Sequence, residues 1–303
     1  MKHFNFLTSG DVVDVIAPAS HAPEDKLKSG LEWLSSIGLM PRVQKNLIRP
    51  QDFFASDLET QLEQLKRAIY SDSKLIWCLR GGYGSMRLIP HIKKWKKPKH
   101  RKMFLGFSDV TSLHLYFNQE WKWPTLHGRV LSQMSTAHKT SDREELKNFL
   151  MGEIQSPLIY KNLIPLNQFA KERMIIEGKI IGGNLRMLQS SLSTEIELRA
   201  KNKILFIEDV GERGYSIDRM LEQMIQAKIL DKGLKAIIFG DFTEGLEKDG
   251  KDLTDVAFRR IAERVPYPVY KGLKCGHGEV NRVLPFFTHA EIHSSAKTLK
   301  VYF

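Results

Sequence analysis

Apolar positions along the first half of the chain alternate between two spacings. Residues 11–17 form a short apolar run closed by Pro18, the pattern of a buried strand. Leu27, Leu31, Leu34 and Ile37 then fall on one helical face, and Gly38 ends that helix. Ser56-x-x-Glu59 reads as a capping box ahead of a second helix carrying Leu58, Leu62, Leu65 and Ile69. Residues 75–79 make another buried strand, broken by Arg80-Gly81-Gly82, and residues 103–107 make a third. An amphipathic segment follows through Leu113 and Phe117, and a further helix spans residues 141–151. Alternation of this kind predicts an α/β fold: a parallel sheet with helices on both faces and a site beyond the carboxyl ends of the strands. The turn Arg80-Gly81-Gly82-Tyr83-Gly84 and Ser108 both fall at such ends.

The pattern then changes. Residues 152–173 contain Pro157 and Pro165 and little periodicity, so they are expected to link a domain of residues 1–151 to a second of residues 174–303. In the second, residues 174–180 predict a strand that leads through Gly182-Gly183 into a helix with Leu185, Leu188 and Leu192. Residues 204–207 and 236–239 predict two more strands, separated by a helix with Ile217, Met220, Leu221, Met224 and Ile225. Residues 290–292 and 299–303 predict a terminal hairpin.

Composition narrows the classes. Of 303 residues, 42% are hydrophobic and 27% charged, the balance of a globular chain, and no apolar run reaches membrane-spanning length. Neither a membrane partner nor a secretory signal is expected, since residues 1–8 have no apolar core or cleavage site. Two cysteines, Cys78 and Cys275, cannot build a disulfide framework, so a reducing cytoplasm is the expected compartment. The net charge of +11 raises the question of nucleic acid. Much of the excess lies in residues 93–102, which lack the interleaved aromatics of a stacking platform and read as a solvated loop. No nucleic-acid partner is expected. The positive field suits an acidic peptide substrate.

Three motifs carry chemistry, in the chain order Ser, Glu, His: Gly106-Phe107-Ser108-Asp109, Phe206-Ile207-Glu208-Asp209 and Gly276-His277-Gly278. A nucleophile, a carboxylate and an imidazole are the inventory of acyl transfer through a covalent intermediate. Ser108 follows a strand and precedes a helix, as in a nucleophile elbow, although Val110 replaces the second glycine of that motif. A serine or Asp109 in this place also suits a helix N-cap. Glu208 or Asp209 could hold a histidine Nδ1–H, and a solvated strand end is the structural alternative for either. His277 between two glycines can approach other groups closely, and Cys275-x-His277 alone is a poor metal site. The turn at residues 80–84 exposes backbone N–H groups that suit an oxyanion. It lacks the Lys-Ser/Thr of a phosphate loop, and Ser85, a rival nucleophile, lies at the next helix start.

Taken together these blocks resemble the LD-carboxypeptidases, a serine peptidase family that also contains the microcin C immunity hydrolases. The resemblance runs over essentially the whole chain and includes residues 10–20, Gly182-Gly183-Asn184-Leu185 and Glu208-Asp209-Val210-Gly211-Glu212. It implies Ser108 as nucleophile, Glu208 rather than Asp209 as the acid, His277 as base, and the N–H groups of Gly82 and Asp109 as an oxyanion hole. It implies a flavodoxin-like N-terminal domain, a smaller β-rich C-terminal domain, a cleft between them and a homodimer. The implied reaction releases the terminal D-Ala of a murein tetrapeptide during peptidoglycan recycling, with no metal or other cofactor. Peptide-nucleotide hydrolysis of the microcin C type is the alternative. After His127-Gly128 the family usually shows Pro where this chain has Arg129. Arg80, Tyr83 and Arg129 are the candidates for substrate binding, the two arginines for the terminal carboxylate.

Overall fold

The computed structural model describes residues 4–137, 140–230 and 233–303. Residues 1–3, part of the segment read for a secretory signal, lie outside the described residues. The chain divides into two units: Met1–Gln155 with Arg282–Leu284, and Ser156–Asn281 with Pro285–Phe303.

In the first unit the apolar runs become strands β1 (Val12–Ile16), β2 (Met40–Val43), β3 (Leu75–Cys78), β4 (Met103–Gly106) and β5 (Thr125–His127). Helices α1 (Glu24–Ser36), α2 (Leu58–Tyr70), α3 (Ile89–Ile92), α4 (Thr111–Gln119) and α5 (Ser141–Leu150) lie between and after them. All pairings among these five strands that define the order β5-β4-β3-β1-β2 are parallel. That is the flavodoxin-like order, with the switch point between β1 and β3. Strands β3 and β4 are buried along their whole length, as a sheet covered on both faces requires. Each aliphatic side chain so buried contributes about 1.5–3 kcal/mol.

Several local details differ from the sequence reading. Asp57, not Ser56, caps α2: its carboxylate accepts the N–H of Thr60 at 2.8 Å, while Ser56 is buried. The buried face of α2 includes Gln61 and Gln64 beside Leu65 and Ile69. Gln61 Nε2 donates to the carbonyls of Ala17 and Ala19, and Gln64 Oε1 accepts from Ala17 N–H. The loop after β1 is thus held by side-chain amides. Helix α4 is buried on every side rather than amphipathic. Two of its polar members are bonded internally: His114 to Thr125 Oγ1 and the Gly106 carbonyl, and Asn118 Nδ2 to the Trp123 carbonyl. Burial holds the His114 pKa down at about 3, so it is a neutral strut. The basic run also ends differently from a solvated loop. Lys102 is buried, donates to the Ala68 carbonyl and to Ser71 and Ser73, and its pKa is pushed down to about 8 by burial.

The second unit holds strands β6 (Leu158–Tyr160) and β7 (Ile164–Pro165), then helix α6 (Gln168–Lys171). These elements occupy the stretch expected to be an irregular linker. The unit continues with β8 (Ile175–Asn184), α7 (Leu185–Ser190), β9 (Lys203–Val210), α8 (Gly214–Gln226), β10 (Ala236–Thr243), α9 (Thr254–Arg264) and β11 (Val269–Gly276). Strand β12 (Leu284–Phe286) belongs to the six-stranded sheet, next to β5, and the second unit closes with β13 (His289–His293) and β14 (Thr298–Val301). The second sheet has the order β6-β14-β13-β8-β9-β10-β11-β7. Strands β8, β9, β10 and β11 pair in parallel, and the flanking pairs β6–β14, β14–β13, β13–β8 and β11–β7 are antiparallel. No helix among the described residues is long and apolar enough to cross a membrane.

Strand β8 runs through Gly182-Gly183 instead of ending before them. Gly182 has φ +142°, and a Cβ there would stand 1.8 Å from the Phe206 carbonyl oxygen. Gly182→Ala is therefore expected to destabilise this unit by about 3 kcal/mol or more, through backbone strain and a forced separation of β8 from β9. A denaturant midpoint close to that of the unsubstituted protein would contradict this account.

Candidate active site

In the first unit the sequence places a Gly–Gly turn after β3 and a Phe–Ser–Asp turn after β4, side by side in the sheet. Ser108 takes φ +65°, a left-handed conformation that is costly for a residue with a Cβ. It is the sharp strand-to-helix turn expected of an elbow, and it opens the helical turn at residues 108–110 that runs into α4. Gly81 makes room for it: a Cβ on Gly81 would lie 2.9 Å from Ser108 Cβ. Gly82, at φ +95°, is pressed from the other side by Ser20, whose hydroxyl would be 2.5 Å from a Cβ. Ser20 Oγ donates to the Phe53 carbonyl at 2.7 Å and accepts the Tyr83 N–H at 3.1 Å. Of the two expected oxyanion donors, Asp109 directly follows Ser108 in its own turn and Gly82 lies in the neighbouring Gly–Gly turn.

Asp109 is buried and braces these turns. Its carboxylate accepts the Ser85 N–H at 2.8 Å and the Gly84 N–H at 3.3 Å, while Ser85 Oγ donates to its carbonyl at 2.6 Å. Burial pushes the Asp109 carboxyl up, against those hydrogen bonds. Ser85, the rival nucleophile, is fully buried and spent on this brace. Tyr83 is exposed, in a cluster with Phe53 and Phe54, and Arg80 is exposed with Nη1 donating to the His21 carbonyl at 2.8 Å. Arg129 is placed differently from Arg80: it is buried, and its Nε bonds the buried Asp142. Its guanidinium anchors α5, and its carbonyl accepts Trp77 Nε1–H at 2.9 Å.

In the second unit the ends of β9 and β11 bring Glu208 and His277 together. Strand β9 extends past Ile207, so Glu208 is fully buried rather than a solvated strand end. His277 Nδ1 and Glu208 Oε2 are 2.6 Å apart. That contact fixes Nδ1 as the protonated nitrogen and leaves Nε2 as the basic one. Burial lowers the His277 pKa, but the charge and hydrogen bond of Glu208 outweigh it, and the net shift is upward. Gly276, at φ +123°, is what lets the strands close here: a Cβ would stand 2.8 Å from Glu208 Oε2. Its N–H is held by Asn281 Oδ1 at 3.0 Å. Gly278 abuts Asp241 in the same way, at 2.6 Å from Oδ2.

Asp209, the alternative acid, points to other partners. It accepts Asn184 Nδ2–H at 2.7 Å, the Val210 N–H at 2.8 Å and the Arg186 N–H at 2.9 Å. Burial, then the charge on Glu208, pushes its pKa up to about 6. Arg186 lies outside the sequence motifs, and the contacts of Asp209 and Glu212 with it depend on how β8 and β9 pair. Cys275 is buried, and among the described residues no three His, Cys, Asp or Glu side chains group as a metal site.

Both halves have counterparts in known proteins. Residues 13–128 match the LD-carboxypeptidase N-terminal domain, and residues 177–292 match the LD-carboxypeptidase C-terminal domain. The chain belongs to the LD-carboxypeptidase family. The murein tetrapeptide carboxypeptidase of Pseudomonas aeruginosa is 30% identical over 280 residues, covering 90% of each chain. Among solved structures, muramoyltetrapeptide carboxypeptidase from Oxalobacter formigenes superposes with a TM-score of 0.79 at 24% identity, over 96% of this chain and 99% of that one. MccF bound to glutamyl sulfamoyl guanosine gives 0.84 at 19% identity, over 99% and 98%. These two structures share the fold of this LD-carboxypeptidase family member. The family makes the chain a carboxypeptidase of the serine peptidase class.

Proposed function

We propose that this carboxypeptidase releases the terminal D-Ala from murein tetrapeptides in peptidoglycan recycling, by a Ser108–His277–Glu208 triad. The observation that carries the reading is the buried Glu208 carboxylate on His277 Nδ1, at 2.6 Å. A buried carboxylate on a histidine Nδ1 is the arrangement that orients the base of a serine triad. His277 Nε2 takes the Ser108 proton as Oγ attacks the carbonyl carbon of the penultimate residue. The N–H groups of Gly82 and Asp109 receive the oxyanion, each such donor contributing about 3 kcal/mol. His277 then protonates the departing D-Ala amine, and water, deprotonated by His277, hydrolyses the acyl-enzyme. The same reading has the protein act as a homodimer in the cytoplasm.

The test is D-Ala release from L-Ala-γ-D-Glu-meso-diaminopimelyl-D-Ala, followed by mass spectrometry with and without a chelator. Equal release in both arms is expected, since no step calls for a metal. Release that the chelator abolishes overturns the mechanism. No release in either arm overturns the substrate and turns attention to peptide-nucleotide conjugates.

A further inference from the structure

A carboxypeptidase must recognise a terminal carboxylate, and the triad alone does not do so. Of the arginines expected for that task, Arg129 is buried on Asp142, and Arg80 holds the His21 carbonyl. A third arginine, Arg186, follows the carboxyl end of β8, the strand that pairs with the Glu208 end of β9. Asn184 lies opposite Glu208 in the β8–β9 register, and Arg186 is two residues further on, at the start of α7. Its backbone N–H is fixed by Asp209, the immediate neighbour of Glu208.

The Arg186 guanidinium is pre-aimed. Nε at 2.9 Å and Nη2 at 2.5 Å both reach Glu212 Oε1, and Glu212 is itself held by Ser216 Oγ at 2.6 Å on its other oxygen. The Glu212 backbone packs against Gly245, next to Glu244, whose charge acts on His277. Arg186 and the imidazole therefore share the same end of the same sheet. Glu212 uses only one edge of the guanidinium, so the Nη1 hydrogens have no protein partner among the described residues, and the side chain is 45% exposed. A guanidinium locked on one edge and open on the other is suited to a bidentate or end-on carboxylate contact, with little entropy left to lose.

We propose that Arg186, oriented by Glu212, binds the terminal carboxylate of the substrate and makes the enzyme a carboxypeptidase rather than an endopeptidase. The inference rests on the murein-peptide reading above. Its test compares kcat/KM for the tetrapeptide ending in D-Ala with the same peptide ending in D-alaninamide. The unsubstituted enzyme is expected to prefer the free acid by about 100-fold, the range that a charged hydrogen bond of this kind supplies. Arg186→Ala is expected to lose that preference through a raised KM for the acid. Arg186→Lys, which keeps the charge but not the fork, retains part of it. Glu212→Gln, which keeps the shape of the anchor, weakens it without abolishing turnover. Arg186→Ala that still prefers the acid overturns the proposal, as does Arg80→Ala that loses the preference instead. An unsubstituted enzyme that cleaves neither peptide overturns the substrate reading and this proposal with it, whereas cleavage of both peptides equally overturns this proposal alone.

Discussion

Ser108→Ala is expected to lower the rate of D-Ala release by about 10⁴–10⁶-fold, the scale seen when the nucleophile of a serine triad is deleted. The substitution removes one oxygen and keeps the Cβ that packs 2.9 Å from the position a Gly81 side chain would take. Alanine and serine meet the same steric cost at φ +65°, so the fold and KM should change little. A loss confined to kcat is the signature of a group used only in the chemical step. The covalent intermediate provides a second readout. A fluorophosphonate should label the unsubstituted protein at Ser108 and leave Ser108→Ala unlabelled. Retention of even a few per cent of the activity would mean that water, not Ser108, attacks the substrate. Labelling at Ser85 is not expected, because that hydroxyl is buried and bonded to the Asp109 carbonyl.

The doubly wound half of the fold is legible because β1, β3 and β4 are short, apolar but for Asp14, and punctuated by Pro18, Gly81 and Gly106. The run at residues 75–79 could be little else than a buried strand. What escaped were the elements whose pattern tertiary contacts decide. Strand β11 carries Lys271 and Lys274 among its apolar residues, and α9 mixes Arg259, Arg260 and Glu263 with a narrow apolar face. Strands β6 and β7 are too short to show a period and exist by pairing with β14 and β11. Strand ends lie beyond the apolar runs for the same reason. Glu208 and Asp241 are polar, so the apolar run stops before them, yet the parallel ladder continues through Asn184–Glu208 and Asp241–Gly276. The candidate site is where local pattern and tertiary pairing disagree. A buried carboxylate at a strand position is the kind of conflict between levels that marks functional or strained sites. The pairing of Arg186 with Glu212 is not legible in the sequence, because nothing in their spacing, 26 residues apart, says that they meet.

Glu208→Gln is expected to reduce kcat by about 10³–10⁴-fold, because an amide can donate to His277 Nδ1 and so hold the wrong tautomer. The pH dependence separates this from simple damage. In the proposed mechanism catalysis needs neutral His277, so activity is expected to fall as pH drops through the His277 pKa in the folded enzyme. Glu208 raises that pKa above its ordinary 6.5, against the opposing effect of burial. The acid limb of kcat/KM in the unsubstituted enzyme therefore lies above 6.5, and it should move to lower pH in Glu208→Gln, where the negative charge is gone. Stability obeys the matching sign. A histidine with a raised folded-state pKa contributes stability that is fully present below 6.5 and is lost as pH rises through the folded value. Glu208→Gln should remove that contribution, so the variant loses most stability at mildly acid pH and least in alkali. Asp209→Asn is the control. Its charge also favours protonated His277, but it makes no contact with the ring, so it should shift the limb in the same direction by less and leave the tautomer intact. An acid limb that stays in place in Glu208→Gln would mean that Glu208 does not govern the imidazole. The 2.6 Å contact would then be a packing feature of β9 and β11 rather than part of a catalytic relay.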